Sequence, residues 1–94
     1  MKKLPKQIKI GGRNIRVEYV KGEEHFPSGE LGLSFLEKGL IKIDKTLPED
    51  FQKSVLLHEI IEFINSMLEL NLEHRTITSI ETALYQVLKD NFDF

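Results

Sequence analysis

Leu56-Leu57-His58-Glu59-Ile60-Ile61-Glu62 is where the apolar residues have stopped alternating and recur every third or fourth position. On a wheel turned by about 100° per residue, Leu57, Ile60, Ile61, Ile64, Met67 and Leu68 cover one broad arc. His58, Glu62, Asn65 and Glu69 fall on a narrow polar stripe, with Glu59 and Ser66 beside it. This spacing predicts an amphipathic helix. Its start is read from Thr46, which can cap, from Pro48, which suits a first turn, and from Glu49 at the capping-box position. It is expected to run to about Leu70, where Asn71 breaks it. A second helix is expected over residues 73–91, with Ile77, Ile80, Leu84, Val87 and Leu88 on its apolar face.

Upstream the period is two. Ile8 and Ile10 alternate with polar residues, as do Ile15, Val17 and Tyr19 with Arg16 and Glu18. Gly11-Gly12 between these runs permits the positive φ of a tight hairpin. Residues 21–30 form a polar loop. A second hairpin follows, with Leu31, Leu33 and Phe35 on one strand, Ile41 and Ile43 on the next, and the turn at Glu37-Lys38-Gly39. The order ββββαα predicts one α+β domain over residues 1–94: an antiparallel four-stranded sheet of two hairpins, followed by two helices packed on one face.

A chain of 94 residues suffices for one small domain with one core. It is 40% apolar and 30% charged, the balance of an ordinary globular protein. A net charge of -2 argues against a nucleic-acid-binding surface, although Lys2, Lys3, Lys6 and Lys9 cluster near the first strand. No run approaches the ~18 apolar residues of a membrane span. Met1-Lys2-Lys3 leads into Leu4-Pro5-Lys6 with no signal-peptide pattern, so a cytoplasmic location is expected. With no cysteine in the chain, metal ligands must come from histidine and carboxylate side chains.

His58-Glu59-Ile60-Ile61-Glu62 reads as the zinc-peptidase signature H-E-x-x-H with glutamate in place of the second histidine. Residues four apart lie one turn above each other on a helix. His58 and Glu62 can therefore share one metal ion, and Glu59 can reach a water on it. The same stripe also fits the wet side of an amphipathic helix. His74 borders the apolar face of the second helix, and Glu81 and Tyr85 follow on nearly the same line. If the two helices are antiparallel and joined near Asn71, His74 converges on Glu62. Two imidazoles and one carboxylate make the His2Glu ligand set of catalytic zinc sites and leave a fourth position for water. Zinc is expected, and mixed N/O ligands admit other divalent ions. Glu81 or Tyr85 can orient a ligand, and His25 in the polar loop can cover the site or supply an alternative ligand.

The chain resembles a family of small phage- and prophage-associated proteins related to the zincin, gluzincin-like metallopeptidases. The resemblance runs through Leu4-Pro5-Lys6, Ile8, Ile10 and Gly11-Gly12; through Gly39-Leu40-Ile41-Lys42-Ile43-Asp44; through residues 56–62; and through Leu84-Tyr85-Gln86-Val87-Leu88-Lys89-Asp90-Asn91. Many similar proteins carry H-E-x-x-H on the first helix and a glutamate near the start of the second. This chain has Glu62 and His74 at those places, so the resemblance implies a ligand set exchanged in chain order.

It also implies a minimal zincin-like fold and a zinc-dependent peptidase or amide hydrolase with Glu59 as general base. Zincin-like folds commonly hold an extended peptide along a sheet edge, here expected at residues 40–44. The alternative is a catalytically inactive zincin-like phage protein that binds a partner protein through the sheet edge or through Phe92 and Phe94.

Overall fold

The computed structural model describes residues 3–94, so Met1 and Lys2 of the basic N-terminal cluster lie outside the described residues. Strands β1 (Gln7–Ile10), β2 (Arg13–Val20), β3 (Gly32–Phe35) and β4 (Leu40–Asp44) are followed by helices α1 (Glu49–Met67) and α2 (His74–Asn91). Gly11 and Gly12, at φ 58° and 81°, close the first hairpin. Both are left-handed, as a two-residue turn that follows strand twist requires.

Both hairpins form, but the sheet is mixed and not purely antiparallel. Its order is β1-β2-β4-β3, and β2 runs parallel to β4 with Val17 opposite Ile41 and Tyr19 opposite Ile43. The second hairpin thus docks by its second strand. Leu40, Ile41 and Ile43 are all buried, so β4 is apolar on both faces and suits an interior position. The inner face of β3 carries only Gly32 and Ser34, which lie opposite Ile43 and Ile41. Leu33 and Phe35 share the other face with Lys42 and Leu40. There the ammonium groups of Lys38 and Lys42 sit 5.4 and 5.6 Å from the Phe35 ring centre. Residues 40–44 are therefore not a sheet edge; β1 and β3 are the edges.

One face of the sheet meets α1. Ile15, Ile41, Ile43, Leu56 and Phe63 are fully buried between them and form the heart of the core. α1 lies against β3 and β4, and α2 packs on α1. The second helix is less buried than its apolar spacing predicts. Ile77 is buried, whereas Ile80, Leu84 and Val87 are exposed. Polar contacts anchor it instead: the Tyr85 hydroxyl donates to the Asp50 carbonyl (3.1 Å), and Ser54 Oγ donates to Glu81 (2.9 Å).

The ends of α1 also differ from expectation. Thr46 does not cap it. The Thr46 amide and hydroxyl both donate to Asp44 Oδ1, at 2.9 and 2.7 Å, and hold that carboxyl below its ordinary pKa. Pro48 is the N-cap residue, and the buried Gln52 amide ties down the carbonyls of Lys45 and Leu47. The helix stops at Met67, three residues early, because Glu69 and Asn71 turn left-handed at φ 53° and 56°. Asn65 fastens this reversal: its side-chain oxygen accepts the Leu72 amide at 2.9 Å. The reversal lays α2 back along α1 and brings its first residue, His74, towards Glu62. Among the described residues, no helix is long and apolar enough to cross a membrane.

Candidate metal centre

His58 and Glu62 project from one face of α1, one turn apart, because the helix repeats every 3.6 residues. His58 Nε2 lies 3.5 Å from Glu62 Oε2, and the same oxygen lies 3.5 Å from His74 Nδ1. The three donors are all within 4.8 Å of one another. The imidazole rings of His58 and His74 meet edge to face, with centres 5.1 Å apart. Bonds of about 2.1 Å to a tetrahedral ion place neighbouring ligand atoms roughly 3.4 Å apart. The two 3.5 Å separations match that spacing. Two nitrogens and one carboxylate oxygen could therefore hold a divalent ion.

The three donors are not equally held. His58 is wedged between the helices, with its side chain 15% exposed, whereas the His74 side chain is 76% exposed. Behind His58, Nδ1 faces Glu81 Oε1 at 3.7 Å, and the Ser54 hydroxyl steadies the other oxygen of Glu81. A carboxylate on the far side of an imidazole favours a proton on that nitrogen and leaves the opposite one as an acceptor for metal. Glu81 thus stands where it can orient His58, the role read for it from spacing. Tyr85 does not. Its hydroxyl is spent on the Asp50 carbonyl, and its ring packs edge-on against Phe94.

Glu59 is buried rather than on the wet side of the helix. Its carboxyl is pushed up from 4.5 to about 7, first by burial and then by the neighbouring Glu62 charge, while a hydrogen bond with Ser34 opposes the rise. The inner face of β3 makes room for it. A Cβ on Gly32 would stand 2.7 Å from Val55 Cγ1 and 3.0 Å from Glu59 Cγ. Gly32→Ala is accordingly expected to cost about 1–3 kcal/mol through overpacking. Urea unfolding measures this, and an unchanged midpoint would show that the edge strand yields freely.

His58, Glu59, His74 and Glu81 line one cleft of about 420 Å³, with Leu31, Phe51 and Val55 as apolar walls. His25 is elsewhere. Its Nδ1 lies 3.2 Å from Lys42 Nζ, and Lys42 alternates with the core-facing Ile41 and Ile43. Sequence reasoning missed Ser54, Ser34 and Gly32, because isolated small residues carry no periodic signal.

Architecture and site together define an α+β protein with a His2Glu donor cluster beside a buried carboxyl. No family model, curated protein or solved structure matches the chain.

Proposed function

We propose that the protein is a zincin-like, zinc-dependent peptidase or amide hydrolase acting in the cytoplasm, in keeping with the resemblance to small phage-associated proteins. His58, Glu62 and His74 hold the ion, and Glu59 is the general base. The observation that carries this reading is the convergence of the three donors within 4.8 Å, two of them, His58 and His74, lining the cleft that Glu59 also lines.

A divalent ion held by His58, Glu62 and His74 would supply Lewis acidity and make a water acidic enough to ionise near neutral pH. The Glu59 carboxylate accepts a proton from the attacking water as its oxygen bonds to the scissile carbonyl carbon. The same group returns that proton to the departing amine nitrogen as the C–N bond breaks. Positive charge nearby favours the ionised form of a carboxyl, so an ion at this site would favour Glu59 as a carboxylate, the form a base needs. The edge strand β3 borders the cleft through Gly32, with Leu31 just before it, and offers the backbone groups of its free edge to an extended peptide.

The exposure of His74 favours a second reading, in which the scaffold binds a partner protein without turnover. Mass spectrometry for metals on untagged, dialysed protein, paired with peptide hydrolysis, separates the two. One zinc per chain and hydrolysis that disappears in a metal-replete Glu59→Gln variant are expected. Absence of zinc removes the proposal. Zinc without hydrolysis selects the binding scaffold, and hydrolysis retained in Glu59→Gln removes Glu59 as the base.

A further inference from the structure

The cleft reaches well beyond the donors. Phe51 and Val55 line it together with His58, all three on α1. At 1.5 Å per residue, Phe51 lies about 10 Å from His58 along the helix axis, with Val55 between them. Leu31, from the segment that enters β3, adds to the same lining. Leu31 and Phe51 are 41% and 45% exposed although they border a concave surface. The cleft thus has an apolar arm that leads from His58 towards the start of α1.

Its charge has one sign. Apart from the two histidines, the ionisable side chains that line it are Glu30, Glu59 and Glu81; no lysine or arginine is among them. Two of these carboxyls are engaged by the protein itself. Glu59 is buried and hydrogen-bonded with Ser34, and Glu81 receives the Ser54 hydroxyl and faces His58. Glu30 differs. It is half-buried, adjoins Leu31 in the chain and forms no ion pair among the described residues. Its Oε1 accepts the Ser28 amide at 2.7 Å, which steadies the side chain and leaves the second oxygen for a ligand.

An apolar wall and an unpaired carboxylate in one cleft suit one kind of side chain. Lysine and arginine lay a hydrocarbon stem on apolar surface and keep the charged head at its border. Their charge-assisted hydrogen bonds to carboxylates are roughly twice as strong as neutral ones. A substrate carboxylate in the same place would meet only like charge, which is unfavourable. We infer that the cleft takes a peptide by a lysine or arginine side chain, its stem on Leu31, Phe51 and Val55 and its cation on Glu30. This rests on the proposed hydrolase cleft and deepens it: the substrate is a basic peptide segment, and Glu30 determines that specificity.

NMR titration with blocked pentapeptide amides, whose central residue is lysine, norleucine or glutamate, tests this at low ionic strength. Norleucine has the lysine stem without its charge. Wild type kept metal-free by a chelator and Glu59→Gln protein supplied with zinc are both used, so binding is read without turnover. The lysine peptide should bind about tenfold or more tighter than the norleucine peptide, the scale of a hydrogen bond to a charged group. The glutamate peptide should bind weakest. Glu30→Gln keeps an acceptor for Ser28 and should bring the lysine peptide down to the norleucine value. Glu30→Lys should make the glutamate peptide the tightest of the three. Equal binding of the lysine and norleucine peptides by the wild type overturns the inference and gives the cleft to plain apolar side chains. A lysine advantage that survives Glu30→Gln, or no binding of any peptide, also overturns it. A lysine preference without zinc uptake or hydrolysis keeps this inference and removes the hydrolase; hydrolysis indifferent to lysine or norleucine does the reverse.

Discussion

His58→Ala is expected to abolish stoichiometric zinc uptake, weakening affinity by more than about a hundredfold, the upper range for loss of a mere outer partner of a ligand. Of the three donors, His58 is set most firmly. It stands in the middle of α1, only 15% exposed, with Glu81 and Ser54 behind its far nitrogen. A ligand held in place before the ion arrives loses little freedom on binding, so its whole bond contributes to affinity. His74 is the opposite case. Its side chain is 76% exposed at the first turn of α2 and must be ordered by the ion, so His74→Ala should lose less than His58→Ala. Glu81→Gln should fall between about tenfold and a hundredfold, as an orienting partner does. Competition against a chromophoric chelator measures all three. Equal affinities for the wild type and His58→Ala would remove the centre from α1.

Glu59→Gln is expected to make the metal-free protein more stable at pH 8 by roughly 3 kcal/mol and to change little at pH 4. The folded carboxyl has its pKa raised to about 7 from 4.5, chiefly by burial. A carboxyl whose folded pKa is raised keeps its proton longer in the folded state. It costs nothing below the unfolded value, costs progressively more as pH rises from about 4.5 to about 7, and costs a constant amount above that. At about 1.36 kcal/mol per pH unit, that window yields the stated difference. Glutamine keeps the shape and a polar partner for Ser34 without the charge. Urea unfolding in the presence of a chelator, with wild type and variant compared between pH 4 and pH 8, isolates this group from the other carboxylates. Parallel curves would mean that the Glu59 charge is not buried. Such a cost is common where a group is held for chemistry rather than for stability.

Much of the architecture is legible before any coordinate. Alternation in β1 and β2, the Gly11-Gly12 turn and the change to helical spacing near residue 56 are local properties of the chain. The parallel pairing of β2 with β4 is not local. It depends on which strand of the second hairpin docks, and the clue lies in Leu40-Ile41-Lys42-Ile43, apolar on both faces, against Gly32 and Ser34 on the inner face of β3. Leu31, Leu33 and Phe35 suggest a core-facing row on β3, and that impression misleads: register turns Leu33 and Phe35 outward, where lysines cover Phe35.

The site divides along the same line. His58, Glu59 and Glu62 announce themselves because helical geometry converts a spacing of four into one face. His74 is placed by a reversal whose left-handed residues, Glu69 and Asn71, give only a weak sign of where the turn begins.

By itself, the order of residues along the chain determined which segments extend, which coil and which polar groups of α1 share a side, since all three follow from backbone periodicity within a few residues. Only the packed molecule decided the strand order, the burial of Glu59 beneath Gly32, the approach of Glu81 to His58 and the bareness of the outer flank of α2. These depend on contacts between residues far apart in the chain, where total burial and close packing choose among arrangements that local preference leaves equal.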